Sequence, residues 1–184
     1  MEQIFAAHGL VLFDVEELPT HGGSLRVYAR HADHAALPVG ERVAALRSRE
    51  LALGYRSMDR YRGFGQQVQQ TKRELLAFLI EAKRQGKSVA GYGAPGKGNT
   101  LLNYCGIRTD FLDFTVDANP YKQGKYTPGT RIPILAPEAL RSAKPDYVLI
   151  LPWNLKDEIM AQADYIREWG GRFVVPIPTV QVFE

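Results

Sequence analysis

The chain has 184 residues, a net charge of +3, 45% apolar and 23% charged residues, and a single cysteine, Cys105. That length suits one domain, or one domain with part of another, and is enough for a real core. Scattered basic residues argue against nucleic acid as a partner, and the lone cysteine excludes an internal disulfide and a cysteine-based zinc site while fitting the reducing cytoplasm.

No apolar run is long enough to span a membrane, and the N-terminus lacks the regions of a signal peptide. The chain reads as if it starts within a helix. Ile4, Phe5 and His8 share one helix face, and Gly9 stops it. Leu10 to Val15 reads as a strand, Thr20-His21-Gly22-Gly23 as a turn, and Ser24 to Ala29 alternates as a half-buried strand does. Val43, Leu46 and Leu51 place a helix between Val39 and Leu53. Tyr61, Phe64, Val68, Leu75, Leu79 and Ala82 recur at steps of three and four, the stripe of a long amphipathic helix ending near Gly86. Gly63 and Gly65 weaken its early part.

The chain is organised around Ser88 to Thr100. There a short apolar run feeds a glycine-rich turn, and a helix-like segment, Leu101 to Cys105, leaves it. Gly91, Gly93 and Gly96 stand at G-x-G-x-x-G spacing, which serves a sharp turn off a strand, backbone approach to a ligand, and close helix packing. A strand at Phe114 to Val116 ends at Asp117, about 20 residues on, where the dinucleotide fold places a ribose-binding carboxylate. Asp117 equally suits capping of the next turn. Further along, Ile132 to Ile134 is a short extended piece and Pro137 to Ser142 starts as a helix. Tyr147 to Leu151 is an apolar run typical of a strand covered on both faces. Leu155 to Trp169 reads as one helix closed by Gly170-Gly171, followed by strands at Phe173 to Val175 and Val180 to Val182. This alternation predicts an α/β fold: a Rossmann-like three-layer sandwich with a mostly parallel sheet, preceded by a helix and β-hairpin.

Ligands of such sheets bind outside the carboxyl ends of the strands. Four polar clusters fall there: Gly91, Tyr92, Gly93, Ala94, Gly96, Lys97, Gly98, Asn99 and Thr100; Asp117, Asn119, Lys122, Gly124 and Tyr126; Pro152, Trp153 and Asn154; and His21, Gly22, Gly23 and Ser24. Lysine for phosphate, Asn and Asp for hydroxyls, and Tyr or Trp for stacking suit a phosphorylated, polyhydroxylated ligand. Gly91 to Lys97 nearly spells a P-loop, but Gly98 stands where Ser or Thr must bind magnesium, which argues against an NTPase. His8, His31 and His34 are ordinary surface residues, no metal-binding cluster is spelled out, and Cys105 is a small apolar residue without a base.

Four stretches carry a family resemblance: Leu18 to Tyr28, Gly91 to Cys105, Asp117 to Gly124, and Leu151 to Leu155. Together they resemble the C-terminal region of the S-adenosylmethionine-dependent sugar C-methyltransferases, which add a methyl carbon to a nucleotide-linked deoxy-keto-sugar. One departure is Gly96, where many relatives carry alanine. The resemblance implies an N-terminal zinc-binding domain, a middle domain binding S-adenosylmethionine, and a C-terminal Rossmann-like domain. Their zinc cysteines, donor-binding glycines and Tyr-x-Glu-His catalytic segment have no counterpart here and are expected upstream of Met1, so no catalytic residue is expected in this chain. Residues 1–36 are then the terminal helix and hairpin of the preceding methyltransferase domain, and residues 37–184 the C-terminal domain. The implied partners are a nucleotide-sugar and the missing zinc and S-adenosylmethionine domains of a cytoplasmic enzyme. Two rivals stand on the residues themselves. One is a free-standing NAD(P)-binding oxidoreductase, resting on the glycine spacing and Asp117; the other is a non-catalytic regulatory module.

Overall fold

The structure is a computed structural model that describes residues 1–34 and 36–184, the side chain of His21 excepted. The chain divides into two compact units, Met1–Gly65 and Gln66–Glu184. The expected domain boundary after residue 36 falls inside the first unit.

In the first unit, helix α1 (Glu2–Ala7) leads through Gly9, whose φ of +68° provides the left-handed step, into strand β1 (Leu10–Leu18). A 3₁₀ turn at Thr20–Gly22 reverses the chain into β2 (Ser24–His31). The two strands pair antiparallel, with an irregularity between Leu12 and Asp14 that lets Leu12 and Val15 both point inward. Helix α2 (Glu41–Ala52) buries Val43, and its arginines face the acids of β1, Arg42 on Asp14 and Arg49 on Glu17.

Helix α3 (Met58–Arg84) runs from the first unit into the second and starts earlier than its stripe suggests, carrying Gly63 and Gly65 as helical residues. Its inward residues in the second unit, Leu75, Leu79 and Ala82, are buried. The second unit is built on a six-stranded sheet. Its strands are β3 (Val89–Tyr92), β4 (Thr115–Val116), β5 (Ile134–Leu135), β6 (Tyr147–Ile150), β7 (Arg172–Val175) and β8 (Gln181–Phe183), in the order β5-β4-β3-β6-β7-β8. All pairs are parallel except β7 with β8. Helix α4 (Gly96–Cys105) joins β3 to β4, α5 (Ala139–Ala143) joins β5 to β6, and α6 (Lys156–Gln162) joins β6 to β7.

Strand periodicity divides the core into two layers. Val89, Leu149 and Val174 meet α3 and α4 on one face of the sheet. Ala90, Tyr92, Val148, Ile150, Phe173 and Val175 meet Leu140, Ile159 and Ile166 on the other. This is the expected three-layer α/β fold with a mostly parallel sheet. The expected single helix from Leu155 to Trp169 is corrected: a 3₁₀ turn (Trp153–Leu155) precedes α6, and a second 3₁₀ segment (Asp164–Trp169) follows. Ala163, at φ −107°, breaks the α-helical ladder and keeps Ile166 on the buried face beside Ile159. Among the described residues, no helix is long and apolar enough to cross a membrane, and no group of His, Cys, Asp and Glu is placed to hold a metal.

Candidate functional site

The strand order reverses direction between β3 and β6, the switch point at which this kind of sheet opens a crevice for ligands. Tyr92 lies opposite Ile150, so the glycine turn leaving β3 stands beside Leu151-Pro152-Trp153 leaving β6. Three of the four polar clusters therefore belong to this end of one sheet.

The glycines divide their work differently from the expected pattern. A Cβ on Gly91 would lie 2.6 Å from Thr115 Oγ1, so this glycine allows β4 to close on β3. Gly93 makes the turn at φ +84° and packs on the Pro152 ring, which a Cβ would meet at 2.7 Å. Gly96 has nothing within 4 Å of such a Cβ; close packing of helix against strand end falls to Gly98, 2.8 Å from Leu151 Cβ. Helix α4 begins at Gly96, after Pro95, and has no side-chain cap. The N–H groups of Gly96, Lys97 and Gly98 have no partner among the described residues, which leaves donors aimed out of the helix start.

Side chains converge on that start. Lys97 Nζ donates to Asn154 Oδ1 and lies 5.1 Å over the Trp153 ring. Trp153 is half-buried and packs on both core layers, while Asn154 is half-buried beside it. Thr100 Oγ1 is turned back to the Gly96 carbonyl at 3.1 Å. Asn99 is half-buried, and its Oδ1 has no hydrogen-bond partner among the described residues. Tyr92 points into the opposite core layer, where burial raises its pKa.

Asp117 is buried and binds inward. Its carboxylate accepts from the Ala94 N–H at 2.8 Å, the Asn119 N–H at 2.9 Å and Lys122 Nζ at 2.9 Å. Burial acts to raise its pKa, but these hydrogen bonds outweigh it and hold the carboxyl below its ordinary value. Gly124, at φ +74°, donates to the Ile134 carbonyl, and Tyr126 pairs with Pro133 while leaving its ring exposed. His21, Gly22, Gly23 and Ser24 belong to the first unit. Gly22 and Gly23 adopt φ +85° and +117°, and Ser24 Oγ donates to the Thr20 carbonyl; the His21 side chain lies outside the described residues.

Residues 19–178 match the family model of the C-methyltransferase C-terminal domain. The chain belongs to that family. It is 39% identical over 181 residues to the C-methyltransferase NovU of Streptomyces niveus, an alignment spanning 97% of this chain and 42% of NovU. The chain thus spans less than half the length of the curated relative it matches. Among solved structures, a likeness at TM-score 0.38 and 20% identity is to UDP-D-quinovosamine 4-dehydrogenase from Vibrio fischeri, over 50% of this chain and 79% of that one. The stretch matching the C-methyltransferase C-terminal domain contains all four polar clusters.

In this C-methyltransferase domain, supporting residues that were not among the expected site residues hold the crevice. Buried Thr115 donates from Oγ1 to the Gly93 carbonyl at 2.9 Å, and Gln123 Nε2 donates to the Asp117 carbonyl at 2.9 Å. Asn103 Nδ2 ties the Asn99 carbonyl to the Pro128 carbonyl, fastening the loop after β4 to α4. Thr115 opposes Gly91 only through strand register, which no local motif signals. A groove of the first unit, lined by Glu17, Arg42, Leu46 and Arg49, is chemically quieter, because its charges already pair with one another or with neighbouring acids.

Proposed function

We propose that the chain is the acceptor-orienting part of an S-adenosylmethionine-dependent sugar C-methyltransferase, holding a nucleotide-linked keto-deoxysugar. Residues 1–36 then close the sheet of a preceding methyltransferase domain, and residues 37–184 form the C-terminal domain. The observation that carries this reading is the grouping at the switch point of Lys97, Trp153, Asn154 and the uncapped start of α4. An ammonium and free backbone donors suit a diphosphate, an indole face suits a ring, and an amide suits hydroxyls. In the complete enzyme a base outside this chain would remove a proton beside the sugar ketone, and the enolate carbon would take the methyl as its S–CH3 bond breaks, with S-adenosylhomocysteine leaving. The role of this chain is placement, which lowers such a barrier by holding the reacting carbon in line. Asn119, Tyr126 and the His21 turn are further acceptor contacts in this reading.

The test is a ligand panel on the 184-residue chain by saturation-transfer NMR, with thymidine- and uridine-diphosphate sugars, S-adenosylmethionine and NAD. Saturable signal from a nucleotide-sugar and none from S-adenosylmethionine is the expected result. Binding of none of the nucleotide-sugars defeats the reading.

A further inference from the structure

Asp117 stands where the dinucleotide fold places the acid that holds a ribose, yet both of its carboxylate oxygens are engaged within the chain. Oδ2 accepts from the Ala94 N–H and from Lys122 Nζ, and Oδ1 accepts from the Asn119 N–H. Lys122 Nζ also donates to the Ala94 carbonyl at 3.2 Å, so the Asp117–Lys122 pair holds the same residue by both its N–H and its C=O. The carboxylate is therefore a buried junction between the turn after β3 and the loop after β4, and Asp117 is only 8% exposed.

The rest of the seat is committed too. In a dinucleotide site the second glycine lets the backbone approach a pyrophosphate. Here the Gly93 N–H donates to the Val116 carbonyl, its carbonyl accepts from Thr115, and its Cα faces the Pro152 ring, so Pro152 occupies the approach. The third glycine of the pattern, Gly96, would present a Cβ to open space among the described residues. The spacing is that of a dinucleotide fingerprint, but its acid and its close-approach glycine are both tied up internally.

We propose that Asp117 is a positioning residue, fastening the glycine turn to Lys122 and closing the dinucleotide seat, so that this domain refuses NAD(P). The proposal deepens the acceptor reading and rests on it only for what the remaining space holds. An ammonium carries three donors; Lys122 uses two on Asp117 and Ala94, which leaves one for an anionic group of the acceptor.

The experiment titrates the wild-type 184-residue chain with NADH, NADPH and thymidine diphosphate, following tryptophan fluorescence, and records the Ala94 amide by NMR in wild type and Asp117→Asn. No saturable NADH or NADPH binding is expected up to about 1 mM. The wild-type Ala94 amide resonance is expected to follow a carboxyl titration below the ordinary Asp range. Lys122 and Tyr92 are the other titratable groups facing that carboxyl. In Asp117→Asn that titration should vanish and Ala94 exchange should quicken by roughly tenfold or more. Saturable NADH binding overturns the closed seat. An Ala94 resonance that ignores the carboxyl overturns the positioning role. Failure of thymidine diphosphate and its sugars to bind defeats the acceptor reading, while the NADH and amide results still decide this one without any variant.

Discussion

Two glycines two positions apart on α4 should respond to alanine with opposite signs. A Cβ on Gly98 would stand 2.8 Å from Leu151 Cβ and 3.2 Å from two atoms of the Pro95 ring. Neither neighbour is the free end of a flexible side chain, so the helix itself must lift from the end of β6. Overpacking of that kind costs about 1–3 kcal/mol. Gly96 faces open space, and alanine there stabilises by about 0.5–1 kcal/mol by restricting the unfolded chain. For a unit of this size each kcal/mol moves the midpoint by about 4 °C. Thermal unfolding followed by circular dichroism should therefore show Gly98→Ala lower by roughly 4–12 °C and Gly96→Ala higher by roughly 2–4 °C. If Gly98→Ala melts with or above wild type, α4 is not seated on β6 through Gly98 and the geometry of the crevice is wrong.

Three other outcomes follow from the same structure. Asp146 accepts from Lys87 Nζ and from the Ser88 N–H and hydroxyl at the far end of the sheet, which lowers its pKa from 3.8 to about 2. Because the folded value is the depressed one, its stabilisation is present above about pH 4 and is lost as pH falls through about 2. With the pair over a third exposed, solvent screening leaves about 1 kcal/mol, and urea titrations of Asp146→Asn should show a correspondingly flatter decline between pH 5 and 2. The pure chain should transfer no methyl group from labelled S-adenosylmethionine to any nucleotide keto-sugar; turnover would place the chemistry inside these 184 residues. In a full-length relative, alanine at the position equivalent to His21 should weaken the acceptor Michaelis constant, whereas unchanged kinetics would leave that turn a simple hairpin closure.

The sheet was legible because its strands and connections are punctuated in the chain. Tyr147 to Ile150 is apolar on both faces, the glycine turn follows Val89 to Tyr92, and Asp117 ends β4. Helix starts were harder. The α4 helix opens at Gly96, inside a run of glycines whose propensity opposes helix, because Pro95 sets its entry and packing against β6 favours small residues. The break at Ala163 has no Gly or Pro to announce it and arises from tertiary packing of Ile166. At the site, Lys97, Trp153 and Asn154 were identifiable from their places beyond strand ends. The inward commitment of Asp117 was not, since capping and ribose binding use the same residue at the same spacing; only the positions of Ala94 and Lys122 separate them.

Whether the switch-point crevice holds the acceptor is decided by calorimetry of nucleotide-sugar binding to wild type and Lys97→Ala. Loss of one charged contact of this kind costs about 1.5–3 kcal/mol, roughly ten- to a hundredfold in affinity. That loss is expected with the unfolding midpoint of the variant unchanged, because among the described residues the Lys97 ammonium meets only the half-buried Asn154 and the Trp153 face. Equal affinity in wild type and Lys97→Ala would contradict it.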